Sequence, residues 1–197
     1  MVLPGCNLLP HGLLPLYIFE PRYRQMLSDA LETDRMFAIG TVDPDGDSDL
    51  GEPEVFDHSC AGLVRACVGA DDGTSHLVLQ GLQRIRFNSW NESDKPYRIA
   101  AIDPIQSVDE NTEASNALSS RALELVHELI AAGHPAPSPK AIEEIQAVED
   151  PEALADLIAY NLVRDPLRRQ ELLGMEEVGE RLRFVIAELT ATGPRFP

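Results

Sequence analysis

Basic residues are scarce in this sequence of 197 residues. It contains 16 Lys and Arg against 33 Asp and Glu, which gives a net charge of −17. The deficit extends along the whole chain, because residues 1–109 hold 17 acidic and 8 basic side chains and residues 110–197 hold 16 and 8. Affinity for nucleic acids comes largely from Lys and Arg that neutralise phosphates. The composition therefore argues against a nucleic-acid partner and, for the same reason, against an anionic membrane surface.

Long apolar runs, a basic leader and a disulfide pattern are lacking too. No stretch approaches the roughly 18 consecutive apolar residues that a membrane-spanning helix needs. The first twelve residues carry no Lys or Arg before their apolar run, unlike a secretory signal. Three irregularly spaced cysteines, Cys6, Cys60 and Cys67, do not make a disulfide framework. We therefore expect a cytoplasmic protein with reduced thiols.

The motifs of the common hydrolases are missing as well. A phosphate-binding Walker loop needs a Lys directly after Gly, and neither of the two lysines, Lys95 and Lys140, follows one. The Gly-x-Ser-x-Gly nucleophile motif does not occur. Lys140 falls at a predicted exposed helix start, which favours a solvated side chain over the base of a Ser–Lys dyad. We expect no catalytic residue and no bound cofactor.

The cysteines and histidines do not have zinc-site spacing. Cys60 and Cys67 are seven residues apart in a predicted strand, and an odd separation along a regular strand places side chains on opposite faces. Zinc ligands instead come as close pairs. We therefore predict no metal site that combines these cysteines with His58 and His76.

An acidic stretch, Asp43 to Asp57, partly matches a calcium-binding loop. Acidic residues occupy positions one, three, five and twelve of that pattern: Asp43, Asp45, Asp47 and Glu54. Ser48 stands where the pattern requires Gly, and Pro44 and Pro53 interrupt the segment. We favour a solvated acidic loop, with calcium binding as the alternative.

The first half of the chain has the pattern of a small β-structure, since short apolar runs are broken by Gly, Pro and Asp. The predicted strands are Val2–Leu9, Leu14–Phe19, Met36–Val42, Cys60–Ala70, His76–Gln80, Arg84–Phe87 and Tyr97–Ile102. Leu82, Ile85 and Phe87 nearly have the two-residue spacing of one buried strand face. The exception is the step from Leu82 to Ile85, which is three residues long. Asp71-Asp72-Gly73 predicts a hairpin turn. Six or seven short strands indicate a small barrel or sandwich.

Helical patterns account for the rest. One helix should begin at Pro21, since Pro is tolerated at the first helical position, and run to about Glu32 with Tyr23, Met26, Leu27 and Ala30 on its buried face. After residue 108 a stripe of Leu118, Ala122, Leu125 and Leu129 predicts a helix that Gly133 and Pro135 stop. Three more helix starts pair a capping residue with Pro: Ser138-Pro139, Asp150-Pro151 and Asp165-Pro166. The last helix should bury Leu182, Val185, Ile186 and Leu189. This half is predicted to be a helical bundle.

The segment LPLYIFEPRYRQML, residues 14–27, resembles the N-terminal substrate-binding domain of Lon-type proteases. Weaker matching features follow downstream: Gly62 in AGLVRA, the turn Asp71–Gly73, Leu79–Arg84, Tyr97 and Ala100, Arg169–Leu173, and Arg181-Leu182. The family begins with a longer strand than the one before Gly5, so the first strand is short or the chain starts upstream.

The resemblance implies an α+β fold: a PUA-like small β-barrel with one inserted helix over residues 1–108, then a C-terminal helical bundle over residues 109–197. It implies a non-catalytic module that binds unfolded or specific protein segments, because the ATPase and protease domains of Lon are not in this sequence. Two alternatives stay open. One is RNA binding, as in other PUA-like barrels, which the acidic charge disfavours; the other is an accessory adaptor or scaffold of a proteolytic complex.

Five residues are candidates for contact with a protein partner: Arg22, Tyr23, Arg84, Trp90 and Tyr97. Arg and Tyr are enriched in binding hot spots, and Trp90 closes a strand run where it could face solvent. Within the same motif, Phe19 is expected to pack in the core. Glu20 and Arg22 are expected to form a local pair at the strand-to-helix junction.

Overall fold

The computed structural model of the chain describes residues 1–46, 52–135 and 137–192, and it divides into two compact units, Met1–Ile105 and Gln106–Pro197. In its described residues the N-terminal unit contains six strands and one helix. They are β1 (Val2–Pro4), β2 (Leu13–Ile18), α1 (Pro21–Leu31), β3 (Met36–Val42), β4 (His58–Gly69), β5 (Ser75–Asn91) and β6 (Ile99–Pro104). The fold is therefore a mixed α and β structure, as expected.

The strands form one six-stranded sheet in the order β1-β3-β4-β5-β2, with β6 also paired to β5. The β1–β3 pair is parallel and the other pairs are antiparallel. One edge of β5 pairs with β4 along most of its length. The other edge pairs first with β2, from Ser75 to Gln80, and then with β6, from Ile85 to Asn91.

Two predicted strands, His76–Gln80 and Arg84–Phe87, are in fact parts of the single 17-residue strand β5. A bulge explains the break in the sequence pattern. Ala61 pairs with Gln83 and Gly62 with Gly81, so Leu82 is an extra residue on β5. The bulge reverses the alternation of faces, which leaves Leu82 43% exposed while Ile85 is buried. This is the three-residue step in the apolar spacing.

A second bulge corrects the prediction for the cysteines. Val64 pairs with Leu79 and Ala66 with Val78, so Arg65 is an extra residue of β4. Cys67 then pairs with the buried Leu77, on the same face as Val64. Cys60 lies on that face too, so the expectation of opposite faces was wrong. Among the described residues, no group of three or more His, Cys, Asp or Glu side chains is placed to hold a metal ion.

The predicted first strand, Val2–Leu9, is too long. It ends at Pro4, because Gly5 takes a positive φ of 59° and turns the chain. Leu8 and Leu9 are fully buried, but they belong to an irregular segment that crosses the sheet. That segment is held to β5 by backbone hydrogen bonds from His11 N to Gly81 O and from Gly81 N to Gly12 O, both 2.9 Å.

The hairpin predicted at Asp71-Asp72-Gly73 is confirmed. The turn closes with hydrogen bonds from Ala70 N to Thr74 O and from Gly73 N to Ala70 O. The Asp72 carboxylate accepts from both the backbone N and the hydroxyl of Thr74, and these hydrogen bonds lower the pKa of Asp72. Gly73 has a φ of 80°, which an L side chain rarely adopts.

Helix α1 begins at Pro21 and buries Tyr23, Met26, Leu27 and Ala30, as predicted. The preceding Glu20 pairs with Arg22 at 2.8 Å, which confirms the expected local pair. Phe19 was predicted wrongly: it is 57% exposed and stacks on Tyr17, which is itself exposed. The reason is strand alternation, since the neighbouring Ile18 points into the core and Phe19 must point out.

Five helices lie in the part of the C-terminal unit that the structure describes: α2 (Thr112–Ala131), α3 (Pro139–Ala147), α4 (Pro151–Leu162), α5 (Pro166–Leu173) and α6 (Val178–Thr192). The three predicted capping residues are confirmed, because Ser138, Asp150 and Asp165 accept hydrogen bonds from first-turn N–H groups at 2.9–3.2 Å. Of the residues predicted to line the last helix, Leu182, Val185 and Leu189 are buried, whereas Ile186 is half-buried.

A buried charge pair joins α4 to α6. Arg181 and Asp156 are both fully buried, with 3.5 Å between Nη1 and Oδ1, and Arg181 also lies 3.4 Å from Glu152. Removing one member of such a pair would leave an unpaired charge in the core, so the pair ties the two helices together.

None of the helices in the described ranges has the length and apolarity that crossing a bilayer requires.

Gly81 provides a direct test of how the irregular segment packs on β5. A Cβ atom at this position would lie 2.0 Å from the carbonyl oxygen of Leu9, and backbone cannot rotate away as a side chain does. We expect Gly81→Ala to lower the free energy of unfolding by about 1–3 kcal/mol, measured by urea denaturation.

Gly69→Ala is the matched control, because a Cβ there meets only Ser75 Oγ at 3.8 Å. It should change stability by less than about 0.5 kcal/mol. Equal effects of the two substitutions would contradict the close approach of Leu9 to β5.

Candidate functional site

A cleft of about 1300 Å³ opens on the N-terminal unit between α1, the β1–β3 pair, the far end of β5, β6 and the loop formed by residues 92–98. Its apolar lining includes Val2, Met26, Met36, Phe37, Phe87, Trp90, Ile99 and Ile102. Its charged lining consists of Arg22, Asp29, Glu32, Glu52, Glu92, Lys95 and Arg98. The cleft is the candidate functional site.

Four of the five predicted partner-contact residues line this cleft: Arg22, Tyr23, Trp90 and Tyr97. They come from α1, β5 and the 92–98 loop, so the sequence alone could not show that they lie together. Arg84 is the exception. It is only 1% exposed, in the middle of β5 opposite Cys60, and this burial contradicts its place among the partner-contact candidates.

Tyr23 and Arg22 have structural contacts that fix one wall of the cleft. Tyr23 is 4% exposed, and its hydroxyl donates to Val2 O at 2.8 Å and accepts from Val2 N at 3.3 Å. The guanidinium of Arg22 lies 4.6 Å from the centre of the Tyr23 ring, on the solvent side. Tyr23 therefore joins α1 to β1, and its burial counts against direct contact with a partner, as that of Arg84 does, whereas Arg22 is exposed.

Asp29 joins α1 to the 92–98 loop. Its carboxylate accepts hydrogen bonds from Lys95 Nζ at 2.7 Å, from the Tyr97 hydroxyl at 2.6 Å and from Gln25 Nε2 at 2.8 Å. These hydrogen bonds, that of Lys95 first, hold the pKa of Asp29 at about 2, below its ordinary value of 3.8. Burial and the bond to Asp29 raise the pKa of Tyr97 to about 12. At neutral pH the carboxylate is thus charged and Tyr97 is a hydrogen-bond donor.

Trp90 lines the cleft from strand β5 and is 39% exposed. Its ring packs against Phe87, with 5.1 Å between ring centres, and the guanidinium of Arg98 lies 3.6 Å from its centre. Arg98 also pairs with Glu52 at 3.1 Å and donates to Pro53 O at 3.0 Å. Arg98 thereby fixes the orientation of Trp90 and holds Glu52 and Pro53, which belong to the acidic stretch, beside it.

Three of the four methionines of the chain, Met1, Met26 and Met36, line the cleft. The flexible, polarisable thioether of Met fits apolar groups of different shapes, and methionines are frequent at surfaces that bind varied partners.

Sequence reasoning missed Asp29, Lys95, Arg98 and the methionines. A partial signal was present, because Lys95 is one of only two lysines and lies two and three residues before Tyr97 and Arg98. Asp29 gave no signal, since its partners Lys95 and Tyr97 are 66 and 68 residues away.

In the segment that partly matches a calcium loop, Asp47 and Ser48 lie outside the described residues, whereas Asp43 accepts a hydrogen bond from Asp45 N at 3.0 Å.

The Asp29 contacts predict a specific loss of stability in acid. Because the pKa of Asp29 is lowered on folding, its contribution is complete above pH 3.8 and is lost as the pH falls toward 2. Asp29→Asn should therefore be less stable than the wild type at neutral pH, and the difference should shrink between pH 4 and 2, as measured by urea denaturation. Asp94→Asn removes a carboxylate of the 92–98 loop that takes no part in these hydrogen bonds, and it should change stability at neutral pH by less than about 0.5 kcal/mol. A difference that stays constant down to pH 2 would contradict these contacts.

Comparison with known proteins supports the relationship implied by LPLYIFEPRYRQML. Residues 1–191 match the family described as the ATP-dependent protease La (Lon) substrate-binding domain. Lon protease 2 of Herpetosiphon aurantiacus is 29% identical over 189 residues, which are 92% of this chain and 22% of that protein. The Lon protease of Escherichia coli K12 is 22% identical over 178 residues, again 22% of its length. The chain thus spans about a fifth of these relatives.

Solved structures show the same fold. The N-terminal domain of Mycobacterium avium complex Lon protease superposes with a TM-score of 0.75 at 17% identity, covering 96% of both chains. A Lon N-terminal domain protein from Xanthomonas campestris superposes with a TM-score of 0.66 at 17% identity, covering 94% of this chain and 95% of that one. With residues 1–191 matched, the chain belongs to the Lon substrate-binding domain family.

Proposed function

We propose that this chain is a non-catalytic module that binds unfolded or specific protein segments, and that it binds them in the cleft of the N-terminal unit. In this proposal the sheet of that unit is a PUA-like barrel, the helices of the C-terminal unit form a bundle, and the protein works in the cytoplasm without a cofactor. A label of peptidase or ATP-dependent protease would describe the Lon relatives, whose length is about five times the matched span.

The observation that carries the proposal is the lining of the cleft. Methionines and aromatic rings surround it, and three residues chosen from the sequence as partner contacts, Arg22, Trp90 and Tyr97, line it with exposed or half-buried side chains. Its volume of about 1300 Å³ exceeds the roughly 300–1,000 Å³ typical of small-molecule pockets. The space suits several consecutive side chains of a polypeptide, and the flexible methionines would allow different sequences to fit.

The alternative of RNA binding is weakened by the charges of the cleft. Its lining holds three basic residues, Arg22, Lys95 and Arg98, and each is paired with an acid. Phosphate binding would have to break these pairs. An adaptor or scaffold that docks one dedicated partner would use the same cleft, and it differs from a general binder in the range of segments accepted.

The position of the single tryptophan gives a direct test. Trp90 lines the cleft, so a bound segment should change its fluorescence. We expect an unfolded, tryptophan-free protein to shift or quench the Trp90 emission in a saturable titration. Met36→Ala should weaken binding about fivefold, because truncating an apolar contact residue in an interface costs about 1 kcal/mol.

Met175→Ala is the matched control, since Met175 is a half-buried methionine of the C-terminal unit. It should bind like the wild type. Circular dichroism should show that both variants are folded. An emission that responds to single-stranded RNA but not to unfolded protein would overturn the proposal in favour of RNA binding.

A further inference from the structure

We infer that the cleft selects apolar segments that carry Lys or Arg beside their apolar residues. This inference rests on the proposed function and adds the charge of the partner to it. Apolar lining alone does not specify charge, so the inference depends on which charged side chains around the cleft are already neutralised.

Every basic side chain of the lining has an acidic partner. Arg22 pairs with Glu20 at 2.8 Å, Lys95 with Asp29 at 2.7 Å, and Arg98 with Glu52 at 3.1 Å. Asp29, the partner of Lys95, is also held in place by a hydrogen bond from the Tyr97 hydroxyl at 2.6 Å. An acidic segment entering the cleft would therefore find no free basic group among these three.

Two acidic side chains of the lining remain uncompensated. Glu32, at the end of α1, and Glu92, just after β5, are exposed and have no basic partner among the described residues. The lining contains four acids and three bases, a balance of −1, and the whole chain has a charge of −17. A Lys or Arg next to the apolar core of a bound segment would meet Glu32 or Glu92 without disturbing an existing pair.

The chemistry of the occupant follows from these two findings. Its apolar side chains would contact Met36, Phe87 and Trp90, and its basic side chains would lie at the rim. Rim charges act chiefly on association rate and on the salt dependence of binding, and they discriminate against partners of like charge. The cleft would therefore reject acidic segments of equal apolarity, including the acidic stretches of other copies of this chain.

Three peptides test the inference. They share one tryptophan-free apolar core and one length, and differ only in flanking residues, which are Lys, Ser or Glu. Titrated into the full chain with Trp90 emission as the readout, the Lys peptide should bind about tenfold more tightly than the Ser peptide at low salt. The Glu peptide should bind most weakly. Raising the ionic strength to about 1 M, where the Debye length is about 3 Å, should bring the three affinities together.

A pair of variants checks that the preference comes from the cleft. Glu32→Gln combined with Glu92→Gln should abolish most of the preference for the Lys peptide. Glu143→Gln combined with Glu149→Gln changes the net charge equally at exposed positions of the C-terminal unit and should preserve the preference.

The outcomes separate the two claims. Equal affinities for the three peptides, tighter binding of the Glu peptide, or equal effects of the two double variants would overturn the charge preference and leave polypeptide binding standing. Absence of binding by all three peptides and by unfolded protein would overturn the proposed function itself.

Discussion

The pairing of β5 with three other strands determines the arrangement of the N-terminal unit. One edge of β5 pairs with β4, while the other edge pairs with β2 and then with β6. Bulges at Leu82 and Asn88 occur along this strand, and bulges bend strands and increase their twist. Leu77 and Leu79 therefore lie in the core, whereas Phe87 and Trp90, farther along the same strand, line the cleft. The site depends on this division of β5 into a first part that lies in the core and a second part that lines the cleft.

Electrostatic contacts then fix the cleft around its apolar lining. Asp29 ties α1 to the 92–98 loop, and Arg98 ties the acidic stretch to Trp90. Exposed ion pairs of this kind contribute only about 0–1 kcal/mol each, so their main effect here is on shape and charge. They use up the basic groups of the lining and leave Glu32 and Glu92 uncompensated. A partner is thus met by apolar surface with an acidic rim.

Most elements could be predicted from local signals. Pro21 and the three cap-and-Pro pairs marked helix starts correctly, because capping depends on neighbours within one turn. Errors arose where contacts between residues far apart in the sequence determine the structure. A bulge at Leu82 made one strand look like two, and another at Arg65 put Cys60 and Cys67 on one face. The error at Phe19 was local instead, because its position next to the buried Ile18 places it on the exposed face. For the site, residue type pointed to Trp90 and Tyr97, but Asp29 meets its partners only after folding, and Arg84 proved to be buried.

Methionine methyl NMR tests most directly whether polypeptides bind in the cleft. With ¹³C-labelled methyl groups the four methionines give four signals, and three of these residues line the cleft. Addition of an unfolded, tryptophan-free protein should shift or broaden the signals of Met26 and Met36 and leave that of Met175 unchanged. Binding that perturbs Met175 while Met26 and Met36 stay unaffected would place the partner on the C-terminal unit and contradict this account.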